Sequence, residues 1–341
     1  MKLSKKVAVV LLAVAAVASF VAGAVAQGVR SNTRKPMATE DDFRQAMKEL
    51  SNWGRWGQDD ELGAANLITP AKRKQALALA KEGIAVSMAH NIFQEDVRDG
   101  NGHLDRTVLR VAPTGAADKY AFTDTYHGSI FSHLDSVNCH MMYEGKGYNG
   151  RPFEEVQAAG GCPHGDITAL KDGVVTRGIL FDATQLAGKA PKGWLEPGTA
   201  VHREDLEALE KIEHVKVSEG DVILLYTGRW KRRAAEGPWN MSEAVAGYHG
   251  DVAYFLKERG VSFIGSDGVN DVRPTTFPEI VGLPIHRLAL VSLGVSIFDN
   301  LDFERAVETA RRWNRYEFLF SAAPLRIEKG MGSPLNPLAI F

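Results

Sequence analysis

Apolar and polar positions along this chain sort into short unbroken runs and longer mixed stretches. Val174–Phe181 and Val222–Thr227 are short, β-branched and apolar, which predicts strands. Ala85–His90, Arg106–Val111, Val261–Gly265 and Tyr316–Ser321 read as strands with weaker patterns. Helical patterns cover Asp41–Leu50, Pro70–Glu82, Arg203–Ile212, Asp251–Arg259 and Glu304–Trp313. The second of these has Thr69 as N-cap and Pro70 at its first position, where a missing N–H costs nothing. Trp53-Gly-Arg-Trp56-Gly-Gln-Asp-Asp-Glu-Leu-Gly63 is a glycine-punctuated loop with two tryptophans. Strands and helices alternate in the second half without a strict βαβ rhythm, and the first half is richer in loops. No repeat, low-complexity tract or Pro/Gly/Ser linker divides residues 40–341, so one α/β domain fits.

The N-terminus changes that picture. Lys2, Lys5 and Lys6 precede an apolar run from Val7 to Ala18, and Ala24-Val25-Ala26 stands before Gln27. This is the layout of a signal peptide over residues 1–26, with a polar, flexible lead over 27–39. Val7–Ala26 is about long enough to be a retained anchor, but its Ala and Gly content and its cleavage site favour removal. The protein is then exported, to a periplasm or beyond. Losing three lysines takes the formal charge from −2 to −5, which leaves no basic patch for nucleic acid or an anionic membrane. Cys139 and Cys162 would meet an oxidising compartment. They either pair as a disulfide or leave Cys139 as a thiol beside a metal, and the sequence leaves both open.

Candidate chemistry concentrates in His127-Gly-Ser-Ile-Phe-Ser-His133-Leu-Asp135-Ser-Val-Asn-Cys-His140. On an extended strand, residues two apart project from the same face, so His133 and Asp135 can reach one ion. An imidazole nitrogen with a carboxylate oxygen suits zinc or manganese. Downstream, His286, Asp299 and Asp267 are candidates to complete such a site, and each has a bland alternative. His286 can cap a turn after Pro284, Asp299 can cap a helix near Asp302, and Asp267 can satisfy turn amides. Gly145-Lys-Gly147-Tyr-Asn-Gly150 fits a dinucleotide-binding pattern, but Pro152 and a loop-like Arg151–Gly161 offer no helix opening inside it. A G-x-S-x-G elbow and a C-x-x-C pair are both absent, which removes the usual serine-hydrolase and zinc-knuckle signatures.

Taken in order, these segments resemble the cyclase family of metal-dependent hydrolases, which includes bacterial kynurenine formamidase and isatin hydrolase, and in particular its longer branch. The resemblance rests on Trp56–Gly63 with Asn66–Thr69, on Ser132-His-Leu-Asp135 followed by Tyr148-Asn-Gly150, on Val175–Asp182 and Gly220–Gly228, and on Gly332–Ala339. It implies a mixed β-sheet with flanking helices, of the swivelling β/β/α type, and a homo-oligomer. It implies His127, His133, Asp135, His286 and Asp299 as ligands of one or two divalent ions, zinc or manganese, with His140 relaying protons. Three positions depart from the family pattern. His140 lies seven residues after His133 where six is common, and Cys139 holds the sixth place. The usual upstream ligand falls on Ser129, and Asp299 stands where Glu is usual.

The implied activity is hydrolysis of a C–N or C–O bond in a small amide, lactam or lactone. The metal supplies hydroxide by lowering the pKa of water toward neutrality, and His140 takes and returns the proton. Trp53 and Trp56 would wall a planar small-molecule substrate or staple the loop to the core. Two competing readings are an exported small-molecule-binding protein that kept the scaffold without catalysis, and a cyclase or dehydratase.

Overall fold

Alternate side chains of the strands divide between two apolar layers. Along Val222–Tyr226, Ile223 and Leu225 join one buried cluster while Val222, Leu224 and Tyr226 join the other, as a period of two requires. The computed structural model describes residues 37–129, 131–275, 277 and 282–341, and residues 37–341 form one unit. The signal peptide read over 1–26, and the lead as far as residue 36, lie outside the described residues. No described helix is long and apolar enough to cross a membrane.

The strands are β1 (Ala85–Ser87), β2 (Leu104–Ala112), β3 (Gly115–Phe122), β4 (His133–Asp135), β5 (Val174–Asp182), β6 (Ala200–Val201), β7 (Val222–Tyr226), β8 (Gly247–Tyr248), β9 (Phe263–Ser266), β10 (Ser296–Asp299), β11 (Glu317–Ala322), β12 (Gly332–Pro334) and β13 (Leu338–Ile340). The helices are α1 (Glu40–Glu49), α2 (Pro70–Leu77), α3 (Phe153–Ala159), α4 (Arg203–Ile212), α5 (Arg229–Glu236), α6 (Val252–Arg259), α7 (Pro284–His286) and α8 (Glu304–Trp313). A wider, π-helical turn over Arg287–Leu293 extends α7.

Nine strands form one mixed sheet in the order β1-β13-β11-β5-β7-β9-β10-β4-β12. Its centre, β5-β7-β9-β10, is parallel, and the flanking pairs are antiparallel. This is the α/β mixed sheet with flanking helices that the sequence led us to expect. One face carries α1, α4, α6 and the α7 segment through Phe43, Leu206, Leu209, Phe255, Ile285 and Leu288. The other carries α8 through Ala306, Val307 and Ala310. Each large side chain buried this way stabilises the fold by roughly 1.5–3 kcal/mol. The β2–β3 hairpin stands apart as its own two-stranded sheet, exposing Leu109, Val111 and Tyr120.

Residues 151–161 depart from the expected loop, because Phe153–Ala159 is helical. Pro152 ends an extended segment at the N-cap position instead of breaking a helix. Glu154 and Glu155 then face the positive helix end, and Gly160 closes the helix in the left-handed conformation. Thr69 caps α2 as anticipated, its hydroxyl accepting from the Lys72 N–H at 3.1 Å.

Candidate metal centre

Strand β4 is three residues long and held from both sides, antiparallel to β10 and to β12. Its middle residue, Leu134, is fully buried in the layer with α8. His133 and Asp135 therefore project from the opposite face, where α7 packs. The register sets Asp299 directly opposite His133 and Ile297 opposite Asp135. Directly opposed residues of an antiparallel pair share a face, so β10 delivers the Asp299 carboxylate to the same side.

On that face, five of the expected donors and His140 converge. His127 Nδ1 contacts Asp135 Oδ1 at 2.7 Å, and His133 Nε2 lies 3.5 Å from the same oxygen. The other oxygen, Oδ2, faces His140 Nε2 at 3.4 Å and His286 Nε2 at 3.5 Å. Asp299 Oδ2 lies 3.2 Å from His286 Nε2 and 3.9 Å from His133 Nε2. Two donor triads result, His127–His133–Asp135 and Asp135–His286–Asp299, and they share Asp135.

Backbone and carboxylate partners behind the imidazoles set their direction. His133 Nδ1 pairs with the Phe131 carbonyl at 2.7 Å, and His286 Nδ1 pairs with Asp271 Oδ2 at 2.5 Å. Both rings thus present Nε2 to the cluster. Partners of this kind fix the tautomer of ligating histidines. Asp271 also accepts the Ile285 and His286 amides at 2.6 and 3.3 Å, fixing the start of α7. Asn270 Nδ2 donates to Asp299 Oδ1 and, at 2.8 Å, to the Phe298 carbonyl. These groups were not anticipated. The run Asp267-Gly-Val-Asn-Asp271 after a strand was the available signal, of which Asp267 alone stood among the candidates.

A divalent ion fits this donor set on two grounds. Asp135 is fully buried, yet among the described residues its Oδ2 makes no hydrogen bond and has only the longer contacts to His140 and His286, and a buried carboxylate oxygen without a hydrogen bond is costly. Burial pushes the Asp135 carboxyl up, but the imidazoles of His140, His133, His127 and His286 outweigh it and hold it well below the ordinary range. Burial alone would disfavour charge on His286, yet Asp299, Asp135 and Asp271 hold it well above its usual value. Three buried carboxylates around one imidazole call for positive charge.

His140 differs from the others. Its ring stacks on His127 with centroids 4.1 Å apart, and its side chain keeps 19% exposure. Burial, reinforced by the neighbouring imidazoles and opposed by Asp135, lowers its pKa to about 4, leaving a neutral ring able to accept a proton. Cys139, the rival for this position, is bonded to Cys162 and offers no free thiol. Tyr126, also unanticipated, packs against His127 with centroids at 4.3 Å, and burial and then Asp135 push its hydroxyl up to about 12.

The remaining candidates lie elsewhere. Asp267 accepts the Thr227, Gly228 and Arg229 amides at 2.9–3.1 Å, which is the turn-satisfying role. The Ser129 carbonyl accepts from Arg229 Nη2 at 2.6 Å. Trp53 donates Nε1 to the Val291 carbonyl at 2.6 Å and lines a cleft of about 520 Å³ whose walls include none of the six clustered side chains. Trp56 is half-buried against the core, with the Arg55 guanidinium 4.7 Å over its ring.

A family model described as Putative cyclase matches residues 104–270. A solved structure described as a novel cyclase is 26% identical over 86% of this chain and 99% of its own, with a TM-score of 0.75. Isatin hydrolase A from Labrenzia aggregata, bound to benzyl benzoate, is 20% identical over 79% of this chain and 98% of its own, at a TM-score of 0.55. Isatin hydrolase A from Ralstonia solanacearum is 17% identical over 80% and 97%, at 0.51. No curated protein matches the chain.

Proposed function

We propose that this cyclase-family chain is a metal-dependent hydrolase acting on a C–N or C–O bond of a small amide, lactam or lactone. The observation that carries the reading is Asp135, a buried carboxylate shared by two donor triads, one oxygen of which makes no hydrogen bond among the described residues. Zinc or manganese bound there supplies a Lewis acid for the carbonyl and brings the pKa of water toward neutrality. His133 and His286 offer Nε2, held inward by the Phe131 carbonyl and by Asp271. His127 and Asp299 complete the two triads. His140 stands at the open side with a neutral imidazole, accepts the proton of the attacking water and returns it to the departing nitrogen or oxygen. The fold likeness to isatin hydrolases supports a carbonyl substrate of this kind.

The test is a panel of formyl-amides, lactones and lactams offered to purified protein reloaded with Zn²⁺ or Mn²⁺. Hydrolysis of at least one class is expected, giving an amine and formate from a formyl-amide, or a single ring-opened product heavier by one water from a lactone or lactam. Stoichiometric metal without turnover of any class would sink the reading. Tight ligand binding in that case would favour the non-catalytic scaffold, and a product of ring closure would favour the cyclase.

Export and oligomerisation belong to the same proposal. A Cys139–Cys162 disulfide suits an oxidising compartment, and the mature chain is expected to begin at Gln27 by N-terminal sequencing. Leu109, Val111 and Tyr120 on the projecting hairpin give a homo-oligomer an apolar contact. Light scattering should return a multiple of the chain mass, and a monomer would refute that part.

A further inference from the structure

Besides His133-Leu-Asp135 the sequence carries three further H-x-D tripeptides, His103-Leu-Asp105, His164-Gly-Asp166 and His249-Gly-Asp251, and the last of these meets another histidine, His202. Strands β6 and β8 pair in parallel with Val201 opposite Tyr248, so the residues that follow, His202 and His249, emerge side by side. The His249 N–H donates to the Val201 carbonyl at 2.9 Å and fixes that alignment. The two rings lie with centroids 4.4 Å apart. Asp251 then turns back at the start of α6, so its Oδ2 sits 2.8 Å from His202 Nδ1 and 3.0 Å from His249 Nδ1.

One oxygen thus gathers two imidazole nitrogens. His249 Nδ1 also lies 3.3 Å from the Asp251 N–H, which directs the nitrogen lone pair toward that region. A lone pair and a carboxylate oxygen at 3.0 Å repel each other unless a proton or a cation lies between them. The cationic side chains beside Asp251 are engaged elsewhere. Lys189 pairs with Asp205, and the Arg203 guanidinium pairs with Glu207 and Glu258. Among the described residues, it is the Arg203 backbone N–H that reaches Asp251 Oδ1, at 3.2 Å.

We propose that His202 Nδ1, His249 Nδ1 and Asp251 Oδ2 form a second divalent-cation site, separate from the Asp135 centre and sharing no ligand with it. Each of the three residues offers a ligand atom within 4.8 Å of those of the other two. Two imidazoles and one carboxylate select a borderline ion such as Zn²⁺ over Mg²⁺ or Ca²⁺, which prefer oxygen cages. His202 keeps 40% side-chain exposure against 4% for His249, which leaves the remaining coordination position on the solvent side. The bound ion ties the start of α4 to the start of α6, so its role is to clamp the two helices on the face that also carries the metal centre.

The experiment uses the full chain with the Asp135 centre disabled by H133A/D135N, dialysed against Zn²⁺ alone and analysed for bound metal. About one equivalent per chain is expected to remain, and adding H202A should reduce it at least tenfold. In the otherwise wild-type chain, H202N should lose one equivalent while keeping hydrolase kcat within about twofold. Co²⁺ in the disabled chain should give visible d–d absorption that H202N removes. The proposal is overturned if the disabled chain, folded by circular dichroism, binds no zinc. It is equally overturned if its zinc persists in H202A/D251N. Should H133A/D135N not fold, the wild-type and H202N stoichiometries decide alone, and equal values overturn it.

Discussion

Two of the four H-x-D tripeptides of this chain, His133-Leu-Asp135 and His249-Gly-Asp251, make a controlled comparison. His133-Leu-Asp135 is itself a strand, paired on both sides, with both polar side chains on one face and Leu134 anchored in the opposite layer. His249-Gly-Asp251 begins where a two-residue strand ends, and Asp251 adopts a helical backbone at the start of α6. The first draws partners from β10 and α7 into a buried cluster where a carboxylate oxygen makes no hydrogen bond among the described residues. The second meets one histidine from a neighbouring strand end, part of it in solvent. The difference teaches that the tripeptide alone is not the site. What the sheet sets opposite it decides how many donors converge and how far water is excluded, and hence whether an ion there can do chemistry or only hold helices together.

The sharpest way to break this comparison is to treat both aspartates alike. D135N is expected to lower kcat/KM by about a thousandfold or more, on the order of 4 kcal/mol of barrier, because it removes the carboxylate that both triads share. D251N should leave kcat/KM within about twofold. Steady-state kinetics on the two variants decides it, and similar losses would show that the second cluster takes part in the reaction.

Next in size is the anchor. Leu134 is fully buried among apolar side chains, so L134A should cost about 2–5 kcal/mol of stability, read as a lower urea midpoint with unchanged slope. It should also loosen metal binding, because β4 positions His133 and Asp135. Unaltered stability would mean that the flanking strands alone hold the motif.

Smaller again is the support behind a ligand. D271N deprives His286 Nδ1 of its carboxylate partner and weakens the hold on the Ile285 and His286 amides. Losses of roughly 10–100-fold in metal affinity are usual for such partners. Competition with a chelator measures it, and an unchanged affinity would make Asp271 a structural cap only. The second cluster, His202–His249–Asp251, does not include Asp271 and should be indifferent to the change.

Legibility in the sequence follows the same division. His133 and Asp135 were readable because a period of two over an extended segment already sets them on one face. Arg203–Ile212 and Glu304–Trp313 were readable because a 3.6-residue period persists over ten residues in each. Strand β10 was not, because four residues followed by Asn300, which has positive φ, look like a turn before a cap. Helix α5 was missed because Arg-Trp-Lys-Arg-Arg-Ala-Ala-Glu carries one large apolar residue and no stripe. The pairing of His202 with His249 had no local trace at all. Two strands of two residues each have no period, and their adjacency exists only once the chain has folded. The registration of Asp299 against His133 was equally invisible, although both residues were candidates and the resemblance to a family implied both as ligands.

The smallest expected effect tests the middle residue of the second tripeptide. Gly250 does not occupy the left-handed region, so alanine there is not barred by backbone conformation. An added Cβ would instead meet Met37 Sδ at 3.0 Å and Phe277 Cε2 at 3.3 Å, with Leu288 Cδ1 at 3.8 Å. A thioether side chain is flexible and yields more readily than an aromatic ring, so most of the strain falls on the contact with Phe277. Overpacking of this kind costs about 1–3 kcal/mol, and the reduced freedom of the unfolded chain returns about 0.4–1 kcal/mol. G250A should therefore lose about 1 kcal/mol in urea unfolding, well short of L134A, and shift Zn²⁺ affinity at the second cluster by no more than a few fold. A loss as large as that of L134A would mean that the second tripeptide is held as rigidly by its middle residue as the first, and the contrast between an anchored and an unanchored motif would fail.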